Sequence, residues 1–320
     1  MTVLVCGEAI VDLFVRLEAG SMRTEAVLGG SPFNVAVGLA RLGVRTSFLG
    51  GLSADVFGAA IRARLLEESI DIGPAVDMDR LTTISVVGTD ATGHPAYAFH
   101  GEGKADRCVT IDDLPKALGA DVRAIVMGSY TLAVEPVAAA HLALARREAG
   151  ARLISIDPNL RPTVTPDLER WRRQFAEFLP CAGIIKASEE DLAVAFPGVP
   201  HRDLTESWFA AGVGLCVVTR GAQGAVAWRP GREPLAEAGR PIEPVDTVGA
   251  GDSFHAALLA RLDQIGALSR RDLSALDDAQ LSGALSFAVA ASAITCTRRG
   301  ANPPTLAQMH AAESAKASVR

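Results

Sequence analysis

Six short runs dense in β-branched and other apolar residues punctuate this chain: VLVCG (3–7), TSFLGG (46–51), AIVMG (124–128), RLISID (152–157), GIIK (183–186) and LCVVT (215–219). Between many of them lie stretches with helical spacing, such as VEPVAAAHLALARREAG (134–150), which closes on a glycine. Near-continuous apolar strands must be covered on both faces, and crossover helices provide that cover. The alternation therefore predicts an α/β fold with a mostly parallel central sheet flanked by helices.

Two regions break the rhythm. Residues 11–28 and 82–100 carry alternating, more exposed-looking strand patterns, as in TTISVVGTDATGHPAYAF, with a turn expected at Asp90-Ala91-Thr92-Gly93. They predict a small antiparallel sheet projecting from the main body. No repeat, low-complexity tract or interdomain linker is visible, so the expectation is one domain over residues 1–320 with a β lid from about 11–28 and 82–106.

With 49% hydrophobic residues among 320, the chain has ample material for such a core. Its formal charge of −6 and the lack of any long Lys/Arg run speak against a nucleic-acid partner. The five cysteines (Cys6, Cys108, Cys181, Cys216, Cys296) are scattered, which fits a reducing compartment and neither a disulfide framework nor a zinc site. The opening MTVLVCGEAIVDLFV has no basic leader and is interrupted by Glu8 and Asp12, so it reads as a buried strand. LSGALSFAVAASAITC (281–296) is short and Ser-rich for a bilayer span and reads as a packed helix of small residues. The expectation is a soluble cytoplasmic protein with no membrane partner.

Ligands of parallel sheets bind beyond the carboxyl ends of the strands. That rule points to Asp12, Gly29, Gly30, Asp157, Asn159, Lys186 and Thr219. The richest signal lies further on, in DTVGAGDSFHAALLARL (246–262). Phe254, Ala257, Leu258 and Leu262 recur at helical spacing, so a core-facing helix starts at the glycine turn. Its first N–H groups lack intrahelical partners and carry the positive end of the dipole, and Gly249, Ala250 and Gly251 leave them open to an anion. Asp252 suits the dipole but would repel an anion bound there unless it has a task. General-base work on a hydroxyl that attacks a phosphoryl group is such a task, with the N–H groups stabilising the transferring charge.

Other phosphate and nucleophile motifs fail: neither G-x-x-x-x-G-K-[ST] nor a G-x-G-x-x-G after the first strand occurs, and Ser253 lacks a nucleophile elbow. The six histidines show no metal-ligand spacing, and His255 is assigned a structural or supporting role. A second constellation, GGSPFNVAVGLARLG (29–43), places Ser31 as a helix N-cap, Pro32 at the first helical position and Gly43 past the end. A well-capped packing helix needs neither Gly29-Gly30 nor Asn34, whereas a polar ligand approaching the backbone would use all three.

These two stretches, in this order and some 200 residues apart, resemble the paired signatures of the PfkB (ribokinase-like) carbohydrate kinases. GEAIVDLF, IDPNLRP (156–162), IIKASEEDL (184–192), VVTRGAQGA (217–225) and TRRGANPP (297–304) extend the likeness over nearly the whole chain. The resemblance implies a ribokinase-like three-layer sandwich that uses ATP and Mg²⁺. It makes Asp252 the catalytic base and Gly249, Ala250 and Gly251 the anion hole. Asp12, Gly29, Gly30, Asn34 and Arg161 would meet the sugar, with Phe99 reaching it from the lid. Lys186, Ser188, Thr219, Gly221, Gly224, Ala288 and Ser292 would serve the nucleotide. Glu190 and Asp191 would hold Mg²⁺, in part through water, and a monovalent cation such as K⁺ would sit near Asp246 and the segment before Asn302. A homodimer through the lids is implied as well.

Three departures from the family pattern stand out. The common Asn-x-x-Glu motif appears as Ser188-Glu189-Glu190-Asp191, Val289 replaces a frequent nucleotide-facing Asn, and in AFHGEGKADR (98–107) His100-Gly101 replaces a frequent Tyr-Arg pair. The last removes a cation that an acidic sugar would favour. GEAIVDLF, TLAVEPVAAA and IDPNLRP look most like bacterial fructokinases, which implies 6-phosphorylation of D-fructose or a close ketose. A 2-keto-3-deoxygluconate kinase, a ribokinase and a nucleoside kinase remain alternatives, as does a non-catalytic sugar or nucleotide sensor on the same fold.

Overall fold

The computed structural model describes residues 1–18, 21–89 and 95–317. The first part of the chain runs β1 (Thr2–Cys6), β2 (Ile10–Glu18), β3 (Ser21–Gly29), α1 (Ser31–Arg41), β4 (Arg45–Leu49), β5 (Gly51–Ser53), α2 (Val56–Glu67), β6 (Val76–Met78), β7 (Ile84–Thr89) and β8 (Pro95–His100). Strand–helix alternation follows in β9 (Val122–Gly128), α3 (Val137–Glu148), β10 (Leu153–Asp157), α4 (Leu168–Phe178), β11 (Ile184–Ser188), α5 (Glu189–Ala195), α6 (His201–Ala210) and β12 (Leu215–Thr219). The chain closes with β13 (Ala225–Trp228), β14 (Leu235–Glu237), α7 (Ala250–Gln264), α8 (Arg270–Ala275), α9 (Asp278–Cys296) and α10 (Leu306–Ala317).

Eight strands form the central sheet in the order β14-β13-β12-β11-β10-β9-β1-β4, parallel from β4 to β12 and antiparallel at the β12-β13-β14 edge. All six strands expected from apolar runs lie in its parallel part. Successive side chains along a strand point to opposite faces, so each strand feeds two cores. In β1, Val3 and Val5 join one cluster with Phe254, Leu258 and Leu285. Leu4 and Cys6 join the other with Trp171, Phe175 and Trp208. Helices α1, α7 and α9 thus cover one face, while α3, α4 and α6 cover the other. Buried Val and Leu side chains of this kind each contribute about 1.5–3 kcal/mol of transfer free energy, which accounts for a sheet apolar on both faces.

Helix α9 is long and apolar enough, by length and composition, to cross a membrane, but half of its apolar window is buried inside the protein. It packs along α7, where Thr295 donates a hydrogen bond to the Ser253 hydroxyl at 2.8 Å. Ala288 and Val289 are buried in the core cluster that α7 and α9 share.

The second sheet has the order β3-β2-β7-β8 and forms the lid. Its pairing differs from the antiparallel sheet expected. β2–β3 and β7–β8 are antiparallel hairpins, but β2 and β7 run parallel, with Asp12 opposite Ser85. Both hairpins leave the body in the same direction, so the strands that meet between them point the same way. The turn expected at Asp90–Gly93 lies outside the described residues.

Helix α1 corrects a second expectation. Gly30 is its N-cap, with φ of 105°, and no side chain caps the first turn. Ser31 is instead the first helical residue and its hydroxyl is turned elsewhere. A Cβ on Gly38 would lie 2.7 Å from the Ala256 Cβ, so the bare glycine lets α1 and α7 cross in close contact. That contact brings the N-termini of two helices to one place at the carboxyl end of the sheet.

Candidate active site

A cleft of about 830 Å³ runs along the carboxyl ends of the strands beneath the lid. Each parallel strand of the central sheet from β9 to β12, together with β1, ends in residues that line it. Glu8 follows β1, Ser129 and Tyr130 follow β9, Asn159 and Arg161 follow β10, Lys186 and Ser188 end β11, and Thr219 with Arg220 ends β12. The lid supplies Asp12, Phe14, Ser85, Val87 and Phe99. Two of the cleft residues, Ser129 (φ 59°) and Asn159 (φ 38°), hold a left-handed backbone conformation without being glycine. Such strain is retained where the surroundings dictate it and clusters at functional sites.

Asp252 lies in the first turn of α7, buried, at the floor of this cleft. Ser31 Oγ donates to its Oδ1 at 2.6 Å and Asn34 Nδ2 donates to its Oδ2 at 2.8 Å, both from the first turn of α1. Here is the task that displaces Ser31 from capping: its hydroxyl goes to a buried carboxylate rather than to its own helix. Burial raises the Asp252 pKa above the ordinary carboxylate value, and the Ser31 and Asn34 hydrogen bonds draw it back. A base of this kind is held in one orientation and is readier to take a proton than a solvated aspartate.

The turn before α7 is open to an anion. Gly249 is the N-cap, in the left-handed region with φ of 74°, where a side chain is rarely tolerated. The Ala250 N–H is engaged by the Thr247 carbonyl at 3.2 Å, and Ala250 does not line the cleft, whereas Gly249 and Gly251 do. A Cβ on Gly251 would sit 3.0 Å from the Lys186 ammonium, so the missing side chain lets that cation reach the helix N-terminus. Lys186 is itself buried and pairs with Asp157 at 2.7 Å. Helix dipole, open N–H groups and a buried ammonium converge on one spot, which suits phosphate.

Behind this spot His255, one turn along α7, bonds through Nε2 to the Ser155 hydroxyl at 2.7 Å. Burial pushes its pKa down to about 4, so the ring is neutral and belongs to the core beneath the site. At the lid end, Asp12 is half-buried beside Ser85, with its pKa raised chiefly by burial. Gly29 does not line the cleft. A Cβ there would collide with Asp12 Oδ2, so its place is behind that carboxylate. Gly30, Asn34, Phe99 and Arg161 line the lid end directly.

At the opposite end, Thr219, Gly221, Ser188 and Glu190 with Asp191 form the wall. Ser188 caps α5 by accepting the Asp191 N–H at 3.0 Å, and burial followed by the neighbouring Asp157 raises the Asp191 pKa. Ala288, Ser292 and Gly224 are not among the lining residues, and neither is Val289. Asp246 stands aside from the cleft, accepting N–H bonds from Val248 at 3.1 Å and Gly300 at 2.8 Å. Among the described residues no cluster of three or more His, Cys, Asp or Glu is arranged to hold a metal ion.

Several lining residues had not been singled out in the sequence, among them Glu8, Ser85, Ser129, Tyr130 and Val248. Glu8 and Tyr130 directly follow strands and fall under the strand-end rule already used. Ser85 carried no local signal, and Val248 stands within the glycine turn already singled out, at a position that had been given no role. Glu8 is buried, its pKa raised to about 8 by desolvation.

Comparison with known proteins agrees with this geometry. Residues 2–308 match the pfkB family of carbohydrate kinases. A fructokinase of Rhizobium leguminosarum bv. trifolii is 35% identical over 280 residues, 87% of this chain and 85% of that protein. Fructokinase-1 of Zea mays is 34% identical over 316 residues, 95% and 94% of the two chains. Among solved structures, a fructokinase from Vibrio cholerae O395 with fructose, ADP and calcium bound superposes with a TM-score of 0.81 at 26% identity, covering 97% of this chain and 98% of that one. Aminoimidazole riboside kinase from Salmonella enterica gives a TM-score of 0.80 at 26% identity, with 97% and 99% covered.

Proposed function

Because this chain belongs to the pfkB family of carbohydrate kinases, we propose that it phosphorylates D-fructose at the 6-hydroxyl with ATP, giving fructose 6-phosphate and ADP. The observation that carries this reading is the buried Asp252 carboxylate, fixed by Ser31 and Asn34 at the mouth of an open helix N-terminus. The relatives named fructokinase at 34–35% identity support the ketose, and the Vibrio neighbour holds fructose and ADP together on the same fold.

In the proposed reaction Asp252 accepts the proton of the primary hydroxyl, whose oxygen attacks the γ-phosphorus. The bond from that phosphorus to the β-bridging oxygen breaks and its electron pair leaves on ADP. A carboxylate offers about four lone-pair sites, so the substrate hydroxyl can be met while Ser31 and Asn34 stay bound. The N–H groups at the start of α7 and the Lys186 ammonium stabilise charge on the transferring group. Asp12, Gly30, Asn34 and Arg161 bind the sugar with Phe99 above it, and Gly29 gives the Asp12 carboxylate its room. Lid closure excludes water, the competing acceptor. Thr219, Gly221 and Ser188 bind the nucleotide.

Mg²⁺ fits the acidic wall: Glu190 and Asp191 flank the cleft and Asp157 Oδ1 is buried without a hydrogen-bond partner. With no three-ligand cluster among the described residues, these carboxylates would hold it largely through water, as Mg²⁺ prefers. Bound with ATP it would offset charge on the β- and γ-phosphates. A monovalent cation such as K⁺ is placed by the same reading beside Asp246, which joins the loop before α7 to Gly300. The exposed outer strand β3, with Met22 at 63% exposure, supports a homodimer through the lids. The five unpaired cysteines support a cytoplasmic setting.

A panel of sugars and nucleosides with ATP tests the assignment, and includes 2-keto-3-deoxygluconate, ribose and aminoimidazole riboside. Fructose should give the highest kcat/KM; a nucleoside in that place would move the protein to the second reading that the Salmonella neighbour represents. Asp252→Asn should lower kcat by about 10²–10⁴ while fructose and ATP still bind, which separates a kinase from a sensor. Full activity in that variant would remove Asp252 from the mechanism.

A further inference from the structure

Gly101 closes lid strand β8 at its root and is buried. A Cβ built on it would lie under 3.0 Å from three atoms of the Arg107 guanidinium, so that group fills the space which the glycine leaves empty. From there the guanidinium stacks over the Tyr130 ring, 4.8 Å from its centroid. The cation missing from position 101 in the sequence is therefore returned through space from a residue in the 3₁₀ turn Ala105–Arg107.

Tyr130 is fixed on three sides. Arg107 covers its face, and its hydroxyl donates to Asp106 Oδ2 at 2.7 Å. Phe99 of the lid meets it edge-on, with centroids 6.3 Å apart. The other oxygen of Asp106 accepts the hydroxyl of Thr83, whose carbonyl in turn takes the Val11 N–H of β2. Thus the bases of both lid hairpins are tied to the ring that Arg107 covers. Tyr130 and Phe99 line the lid end of the cleft; Arg107 does not.

We propose that Arg107, seated in the space left by Gly101, is a positioning residue for the acceptor sugar: it clamps Tyr130 against Phe99 and so sets how closely the lid end of the cleft fits the sugar. The inference rests on the reading of this cleft as a sugar-kinase site. A desolvated cation–π contact is strong enough to matter here, and Arg107 Nε is buried without a hydrogen bond, so packing on the ring is a main hold on this part of the guanidinium. Losing the clamp loosens the wall facing the sugar and leaves Asp252 and the phosphate cradle, on another element, untouched.

The test compares Arg107→Met, Gly101→Ala and the double variant. Gly101→Ala alters no cleft-lining residue but pushes the guanidinium off the ring. Steady-state kinetics are run with whichever panel sugar the wild type turns over best, together with thermal melts. In each single variant KM for the sugar should rise about tenfold, between the effects of losing an exposed and a fully desolvated cation–π contact, while kcat and KM for ATP stay within about threefold. The double variant should be no worse than Arg107→Met alone, because both changes break one contact. A lower melting temperature with an unchanged sugar KM overturns the proposal in favour of a merely structural contact, as do additive effects in the double variant. If Arg107→Met fails to fold, Gly101→Ala alone still carries the KM readout. A wild type that prefers another sugar refutes the fructose assignment, yet the variant-to-wild-type KM ratio still decides this inference.

Discussion

Removing the Ser31 hydroxyl should retune the base without touching the carboxylate. In Ser31→Ala, Asp252 loses a 2.6 Å buried hydrogen bond and retains the one from Asn34. A hydrogen bond to a charged group contributes about 1.5–3 kcal/mol. At 1.36 kcal/mol per pKa unit, its loss should raise the Asp252 pKa by about one to two units. The sign follows from the balance at the site: burial already lifts this pKa, and Ser31 is the first of the three groups, with Asn34 and Lys186, that hold it down. A base must be deprotonated to act, so the acid limb of the kcat/KM profile should move to higher pH by the same amount. That profile reports the free enzyme, in which the hydrogen bond is seen. The alkaline plateau should stay within about fivefold of wild type, since the carboxylate itself is unchanged. Stability should follow the linkage. A folded pKa raised above the unfolded value of about 3.9 means that the folded state binds this proton more tightly, so stability is fullest in acid and falls as pH rises toward the folded pKa. The melting-temperature gap between wild type and Ser31→Ala should therefore widen from acid toward neutral pH. An acid limb displaced by less than about half a unit would refute the reasoning, either because another group titrates there or because Ser31 does not hold Asp252 in solution.

Lys186→Met should unfold the protein more easily by about 3–5 kcal/mol, because it leaves Asp157 buried and unpaired at a site where both side chains are 4% exposed. Adding Asp157→Asn should recover most of that loss in urea denaturation, though not the turnover; a single variant as stable as wild type would show the pair to be exchangeable for apolar packing. Gly29→Ala should raise KM for the sugar at least about tenfold, with KM for ATP unmoved, because the new methyl collides with Asp12 Oδ2 and must displace it. An unchanged sugar KM would take Asp12 out of the binding site.

Much of the site was legible in the chain. Strand ends and helix starts are local properties, and the chemistry gathers at such places: Asp157, Asn159, Arg161, Lys186 and Thr219 all follow or end apolar runs that form strands. The glycine turn before Asp252 could be interpreted because a helix N-terminus has the same unpaired N–H groups wherever it occurs. The misreadings share one cause. Ser31 looks like a cap because serine beside a helix start normally bonds its own backbone, and nothing within a few residues reveals a stronger acceptor 221 positions away. The lid looks antiparallel because each of its hairpins is, while the parallel contact of β2 with β7 joins two segments far apart in sequence. Ala288 and Ser292 were placed beside the nucleotide by likeness alone; Ala288 is buried, Ser292 is half-buried, and neither is among the residues that line the cleft.

The sequence by itself determined which segments become strands and helices, because hydrophobic periodicity and turn residues act over a few positions. It also determined the two glycine-opened helix starts, and with them the kind of chemistry, phosphoryl transfer to a hydroxyl. Tertiary structure alone decided how those starts act together. The bare Gly38 lets α1 and α7 approach until Ser31 and Asn34 reach Asp252, and the bare Gly101 admits the guanidinium of Arg107. At Gly38 the space of the absent side chain is taken by Ala256, far along the chain, and at Gly101 by Arg107, which reaches back from the turn that follows. Such complementarity depends on shape and distance, which no local pattern records.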